Sequence, residues 1–293
     1  MFEGDTIGGL RTALRAEVFK TVRRRMTWIC LAMIVVLVGL VYLGLWLRLR
    51  EGAGGRPDEA LVWVAVRAGV SFRNAVPYGL AVERFFATII CVVFAGTVMG
   101  NEYDWRTVGV AVSRGVRRWH FLAAKLAVVT GFTVAVAVTG LLAAMAASVI
   151  LTLSYDLRWG TVDLAWGWGL VAGLARTVFV ILPFVFLAVL VGNVWRSAGQ
   201  AVGASLGLFF SEQIFIGLLS LTDGWPRAIT KGLFSENIDA VMRANGIFAS
   251  GGGPFIIEGG GPPLWRATAF LAAWMALFLA ATFVRFNRRD IQD

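Results

Sequence analysis

Histidine, cysteine and charge are scarce in this chain, and each shortage removes a class of function. One histidine, His120, and two cysteines, Cys30 and Cys91, occur in 293 residues. No HExxH, CxxC cluster or histidine pair is present, so zinc, haem and proteolytic sites lack ligands. Both cysteines fall inside apolar stretches, which reads as buried small hydrophobes rather than a disulfide framework. No G-x-x-x-x-G-K-[ST] loop occurs: at Lys20-Thr21, Phe19 stands where the glycine must be, so the chain cannot cradle ATP by that loop. His120, at the edge of an apolar stretch, reads as a headgroup contact rather than a catalyst. Only 15% of the residues are charged.

Apolar length is what the chain has in excess. Hydrophobic residues make up 58% of it and the mean hydropathy is +0.74. A membrane span takes about 20 apolar residues. Stretches of that length predict spans at Trp28–Leu47, Ala81–Gly100, Leu126–Leu151, Gly169–Gly192, Ala198–Leu221 and Leu264–Val284. The fold class expected is an all-α polytopic membrane protein, with residues 1–293 as one transmembrane domain. No cleavable signal peptide is expected, because a long polar segment precedes the first span. The segment 61–80 holds Arg67, Arg73 and Pro77. Charges at a helix centre cost about 2.5–3.5 kcal/mol each on insertion scales, so it reads as external or interfacial. Glu83 and Arg84, just beyond it, read as interfacial too. Pro183 is expected to kink the fourth span.

The net charge of +9 has a topological rather than a nucleic-acid pattern. Its arginines flank apolar stretches and lack aromatic interleaving, so no nucleic-acid partner is expected. With the N-terminus inside, segments 1–27, 102–125, 193–197 and 285–293 hold six, five, one and three Lys or Arg. The longer external segments 48–80, 152–168 and 222–263 hold five, one and three. That asymmetry places both termini in the cytoplasm. In residues 1–27, Ile7, Leu10, Leu14 and Val18 recur at helical spacing with Arg11 and Arg15 on another face. This predicts an interfacial helix lying among lipid headgroups, or else a plain positive-inside anchor. In the external segment 222–263, Ile229, Leu233, Phe234, Ile238 and Val241 predict a short helix dipping into the outer leaflet. The glycine triplets 251–253 and 259–261 read as flexible connections.

Between spans two and three, residues 102–125 carry a second amphipathic pattern. Trp105, Val108, Val112, Val116 and Trp119 share one face, while Arg106, Arg114, Arg117 and Arg118 project elsewhere. A short helix packed on the membrane edge or in a partner's groove fits this spacing, and a solvated basic loop is the plainer alternative. The run 99-MGNEYDWRTVGVAVSRGVRRWHFLAAKL-126 resembles the signature of ABC-2 type permeases, the membrane subunits of bacterial ABC transporters. Gly100, Glu102, Arg106-Thr107, Ser113-Arg114 and Ala124-Lys125-Leu126 carry that resemblance. Segments 15–28 and 284–293 are similar as well. Arg106 stands where many relatives have glycine.

The resemblance implies a non-hydrolytic subunit of the bacterial plasma membrane. Two copies would pair with two ABC-type ATPase subunits that hold ATP and Mg, this chain needing no cofactor of its own. Residues 102–119 would be the cytoplasmic coupling helix, with Glu102, Tyr103, Asp104, Arg106, Thr107, Arg114, Arg117 and Arg118 as coupling residues. The expected activity is export of an amphipathic or hydrophobic substrate such as a drug, lipid or peptide. A stand-alone secondary transporter and a membrane scaffold are the alternatives.

Two patterns inside the spans need no family. Gly199, Gly203, Gly207 and Ser211 form a small-residue stripe on span five, suited to close packing within the chain or against a second copy. Arg176 and Glu212 are intramembrane charges in spans four and five, at depths of about 10 and 14 Å at the helical rise. Such depths allow a pair between them, with a functional or a bracing role.

Overall fold

A computed structural model describes residues 6–52, 63, 66–67, 69–104, 117–157, 159–219, 232–246 and 261–288. Among these residues the chain is all-α, without strands. Eight helices are described: α1 Thr6–Arg23, α2 Arg25–Glu51, α3 Ala75–Asp104, α4 Arg118–Ser154, α5 Leu164–Trp195, α6 Ala198–Leu219, α7 Phe234–Arg243 and α8 Leu264–Arg288. A 3-10 turn, Phe72–Asn74, leads into α3. Six of them, α2 to α6 and α8, are long and apolar enough to cross a membrane.

Helix α3 is the centre of the bundle, packed by α2, α4, α5 and α6. In its most apolar stretch 67% of residues are buried, against 17% in α6 and 22% in α2 and α8. The outer helices therefore show their apolar sides to the surroundings, as lipid-facing helices do. Glycine lets α3 and α4 approach: a methyl group at Gly79 would lie 2.6 Å from the Ala144 Cβ. Aromatic contacts fill the remaining space, including the stacked rings of Phe94 and Phe132 at 3.7 Å.

Helix α3 starts at Ala75, not at Ala81, and this changes what its first turns do. Pro77 falls in the first turn, where a missing N–H breaks no helical hydrogen bond, so it opens the helix instead of barring it. Glu83 and Arg84 then lie two turns inside. The expectation that Glu83 is interfacial is corrected: its side chain is fully buried. Helix α5 continues through Pro183. It opens on Asp163, whose Oδ1 accepts the N–H of Trp166 at 2.8 Å as an N-cap. A single extended residue, Arg24, separates α1 from α2, and the corner is closed by Thr27 Oγ1 donating to Thr21 O at 2.6 Å.

Candidate functional site

Charged residues converge at two places, one at each end of the bundle. At the α1 end, α3 finishes in 99-MGNEYD-104, and three residues of that run tie it to four other helices. At Gly100 the backbone meets the start of α6 so closely that a methyl group would lie 2.8 Å from the Ala198 Cβ. Glu102 is 1% exposed and pairs with Lys20 of α1, with Arg24 at 3.8 Å and with Lys125 of α4 at 3.1 Å. Lys125, equally buried, also reaches Glu17 of α1 at 3.3 Å. The Tyr103 hydroxyl donates to Asn193 Oδ1 of α5 at 2.5 Å, and Asn193 Nδ2 donates to Thr282 O of α8 at 3.2 Å.

Two carboxylates and three cations thus share one enclosed site. Burying an ion costs several kcal/mol, which its partners must offset, and removing one partner exposes the full penalty. The cluster consequently holds α1, α3 and α4 in one arrangement. It also brackets the segment of sequence singled out for its arginines: Glu102 precedes that segment and Lys125 follows it. Arg117 is exposed, and Arg118 donates to Asn287 O of α8 at 3.3 Å. Arg106, Thr107 and Arg114 lie outside the described residues, as does the side chain of Asp104. The side chain of His120 does not face outward, as a headgroup contact would. It is 4% exposed beneath Gly9 of α1, where a methyl group would touch its ring at 3.2 Å.

At the opposite end, α7 is gripped by charges from three spans. Its N-cap residue, Leu233, has no side chain able to accept the first N–H groups. Glu212 of α6 does so instead: Oε1 accepts from Phe234 N at 2.9 Å, and Oε2 from Ser235 N at 3.3 Å and Ser235 Oγ at 3.1 Å. At the other terminus, Arg176 of α5 donates to Ala244 O at 3.0 Å and Asn245 Oδ1 at 2.9 Å. A carboxylate at the positive end and a guanidinium at the negative end both match the helix dipole. Arg84 of α3 adds an ion pair to Asp239 at 2.6 Å. Phe234, Ile238, Val241 and Met242 are buried, with Phe234 set among Phe184, Phe270, Trp274 and Phe278.

Arg176 and Glu212 therefore do not pair with each other; α7 stands between them and occupies both. A short helix in this segment was readable from the chain, but its place between the two charges was not. Of the apolar stripe expected there, Phe234, Ile238 and Val241 are on α7 and Leu233 is its N-cap residue, whereas Ile229 lies outside the described residues, as do residues 251–260 with the first glycine triplet. Gly199, Gly203, Gly207 and Ser211 are exposed, and a methyl group at any of the three glycines would meet nothing within 4 Å. Helix α6 packs inward by its other side, through Ala201, Ser205, Phe209 and Glu212. Among the described residues, no three His, Cys, Asp or Glu side chains are grouped to hold a metal.

The family model described as "Protein of unknown function (DUF2705)" matches residues 75–292, a range that begins at the first residue of α3. No curated protein matches the chain.

Proposed function

The chain belongs to the DUF2705 family of proteins of unknown function, and we propose that it is the membrane subunit of an ATP-driven exporter. Its α1 end faces the cytoplasm, where a separate ATPase binds the segment between α3 and α4. The observation that carries this reading is the ionic cluster at the root of that segment. A push on residues 105–116 acts on Glu102 at one side and Lys125 at the other, and so on α1, α3 and α4 together. Arg106, Arg114 and Arg117 are the contacts offered to the partner. Glu102 and Tyr103, which hold the bundle, are assigned to transmission rather than to docking. ATP and Mg belong to the partner.

Helix α1 serves as the cytoplasmic interfacial helix. Its inward side is ionic, with Glu17, Lys20 and Thr21 against the bundle. Its outward side carries Val18, Phe19 and Val22 beside exposed Arg11, Arg15 and Arg23. Apolar side chains reaching into acyl chains and arginines among phosphates suit a helix in the headgroup layer. On the far side α7 closes the bundle, so access alternates as the spans move between it and the cluster. The bare Gly199–Gly203–Gly207–Ser211 side of α6 supports pairing with a second copy of the chain. An amphipathic substrate is assigned by resemblance to ABC-2 type permeases.

The test is affinity purification of the tagged chain from native membranes in mild detergent, with mass spectrometry of its companions. A stoichiometric ATPase should accompany the natural chain and be lost when Arg106, Arg114 and Arg117 are all changed to Ala. Recovery of no ATPase under these conditions would sink the proposal.

A further inference from the structure

Among the described residues, Glu83 is a buried acid that neither the ionic cluster nor the α7 clamp uses. It lies in the contact of α3 with α4 and is fully buried. Neither carboxyl oxygen has a hydrogen-bond partner among the described residues. The carboxyl occupies the space that Gly140 leaves open on α4, where a methyl group would lie 3.1 Å from Cδ and closer still to Oε2. Gly140 therefore makes room for this side chain on a helix otherwise packed tightly against α3.

Among the described residues, the groups that face it offer no counter-charge. From α2 comes the Tyr42 hydroxyl, which lies 3.5 Å from Ser148 Oγ of α4. On α3 itself the titratable groups on either side of it in sequence are Tyr78, Arg84 and Cys91, and Arg84 is committed to Asp239. The charged and titratable residues of α4, namely Arg118, His120 and Lys125, are confined to its first turns, about 22 Å or more from Gly140 at the helical rise. The single charges of α5 and α6, Arg176 and Glu212, are taken by α7. A bare carboxylate in such a place would carry the full cost of desolvation, many kcal/mol. An unpaired neutral acid forgoes only its hydrogen bonds, a far smaller cost.

We propose that Glu83 is a proton-binding site of this protein: it carries a proton while α3 and α4 are in contact and releases it to water when that contact opens. The bound cation is a proton because, among the described residues, no group of three His, Cys, Asp or Glu side chains is present to hold a metal ion. In the step itself the O–H bond of the acid breaks, the electron pair stays on the carboxylate, and water takes the proton. The proposal is independent of the ATPase reading, since it concerns one contact between two spans.

The test is infrared difference spectroscopy at neutral pH on the full chain in lipid nanodiscs, natural against Glu83→Gln. A carboxylic-acid C=O band present in the natural protein and missing from the variant is the expected result. Loss of a carboxylate band instead, with the acid region unchanged, would overturn the proposal. Thermal unfolding of the same variant provides the second measurement. An amide replaces a neutral acid at little cost, so Glu83→Gln should melt within a few degrees of the natural chain. Failure of Glu83→Gln to fold would also overturn the proposal, because it would mean that an ionised group was being stabilised there.

Discussion

The two ends of the bundle solve the same problem with different chemistry. At the α1 end charges meet charges: Glu102 and Glu17 are matched by Lys20, Arg24 and Lys125. At the α7 end, Glu212 and Arg176 meet backbone, using the free N–H groups and the last carbonyl of one short helix. A cluster of full charges is mutually dependent, so losing one member strands the others. A helix terminus offers only partial charges, and each grip on it is nearly independent of the other. The α1 end should therefore fail as a unit and the α7 end piece by piece.

The largest effect tests that difference directly. Glu102→Ala leaves Lys125 buried beside a single carboxylate, at an expected cost of about 3–5 kcal/mol. Fluorescence-detected chromatography with heating should show most of the folded protein lost. Adding Lys125→Met should restore a large part of that stability, because the stranded charge is gone. An undiminished melting temperature in Glu102→Ala would show that the cluster does not act as a unit.

A smaller effect is expected at the other end. Glu212→Ala removes the acceptor for two N–H groups and one hydroxyl, at about 1–3 kcal/mol, while Arg176 still holds the opposite terminus. The bundle should stay folded, with α7 loosened locally. A cysteine placed at Ser235, 6% exposed in the natural chain, should then react with a maleimide much faster than it does beside intact Glu212. The smallest effect is that of Arg84→Ala, whose partner Asp239 has a side chain 34% exposed. An ion pair of that kind contributes about 0–1 kcal/mol, so the melting temperature should scarcely move. A collapse as deep as that of Glu102→Ala would erase the distinction between the two ends.

Much of the architecture was legible along the chain. Apolar length predicted six helices able to span a membrane, because lipid leaves the backbone no partner but itself. The start of α3 was misplaced by six residues, since a sequence containing Arg73 and Pro77 looks like an interruption until Pro77 is seen in a first turn. Glu102 stood out, but as a residue facing a partner. Its burial depends on Lys20 and Lys125, which are 82 residues before it and 23 after. Arg176 and Glu212 were recognised as intramembrane charges with comparable depths. What occupies them is a helix from a third segment, and no spacing within α5 or α6 contains that information.

Composition and periodicity alone dictate the class of this protein and the number of long apolar helices among the described residues. These properties follow from hydrophobicity and helical rise, which act locally and add along the chain. Packing alone settles which charges neutralise one another, which glycines are filled by a neighbour and which lie bare, and which buried carboxyl, Glu83, has no partner among the described residues. Those outcomes depend on the rotation of each helix about its axis, and only contact with the other helices sets that angle.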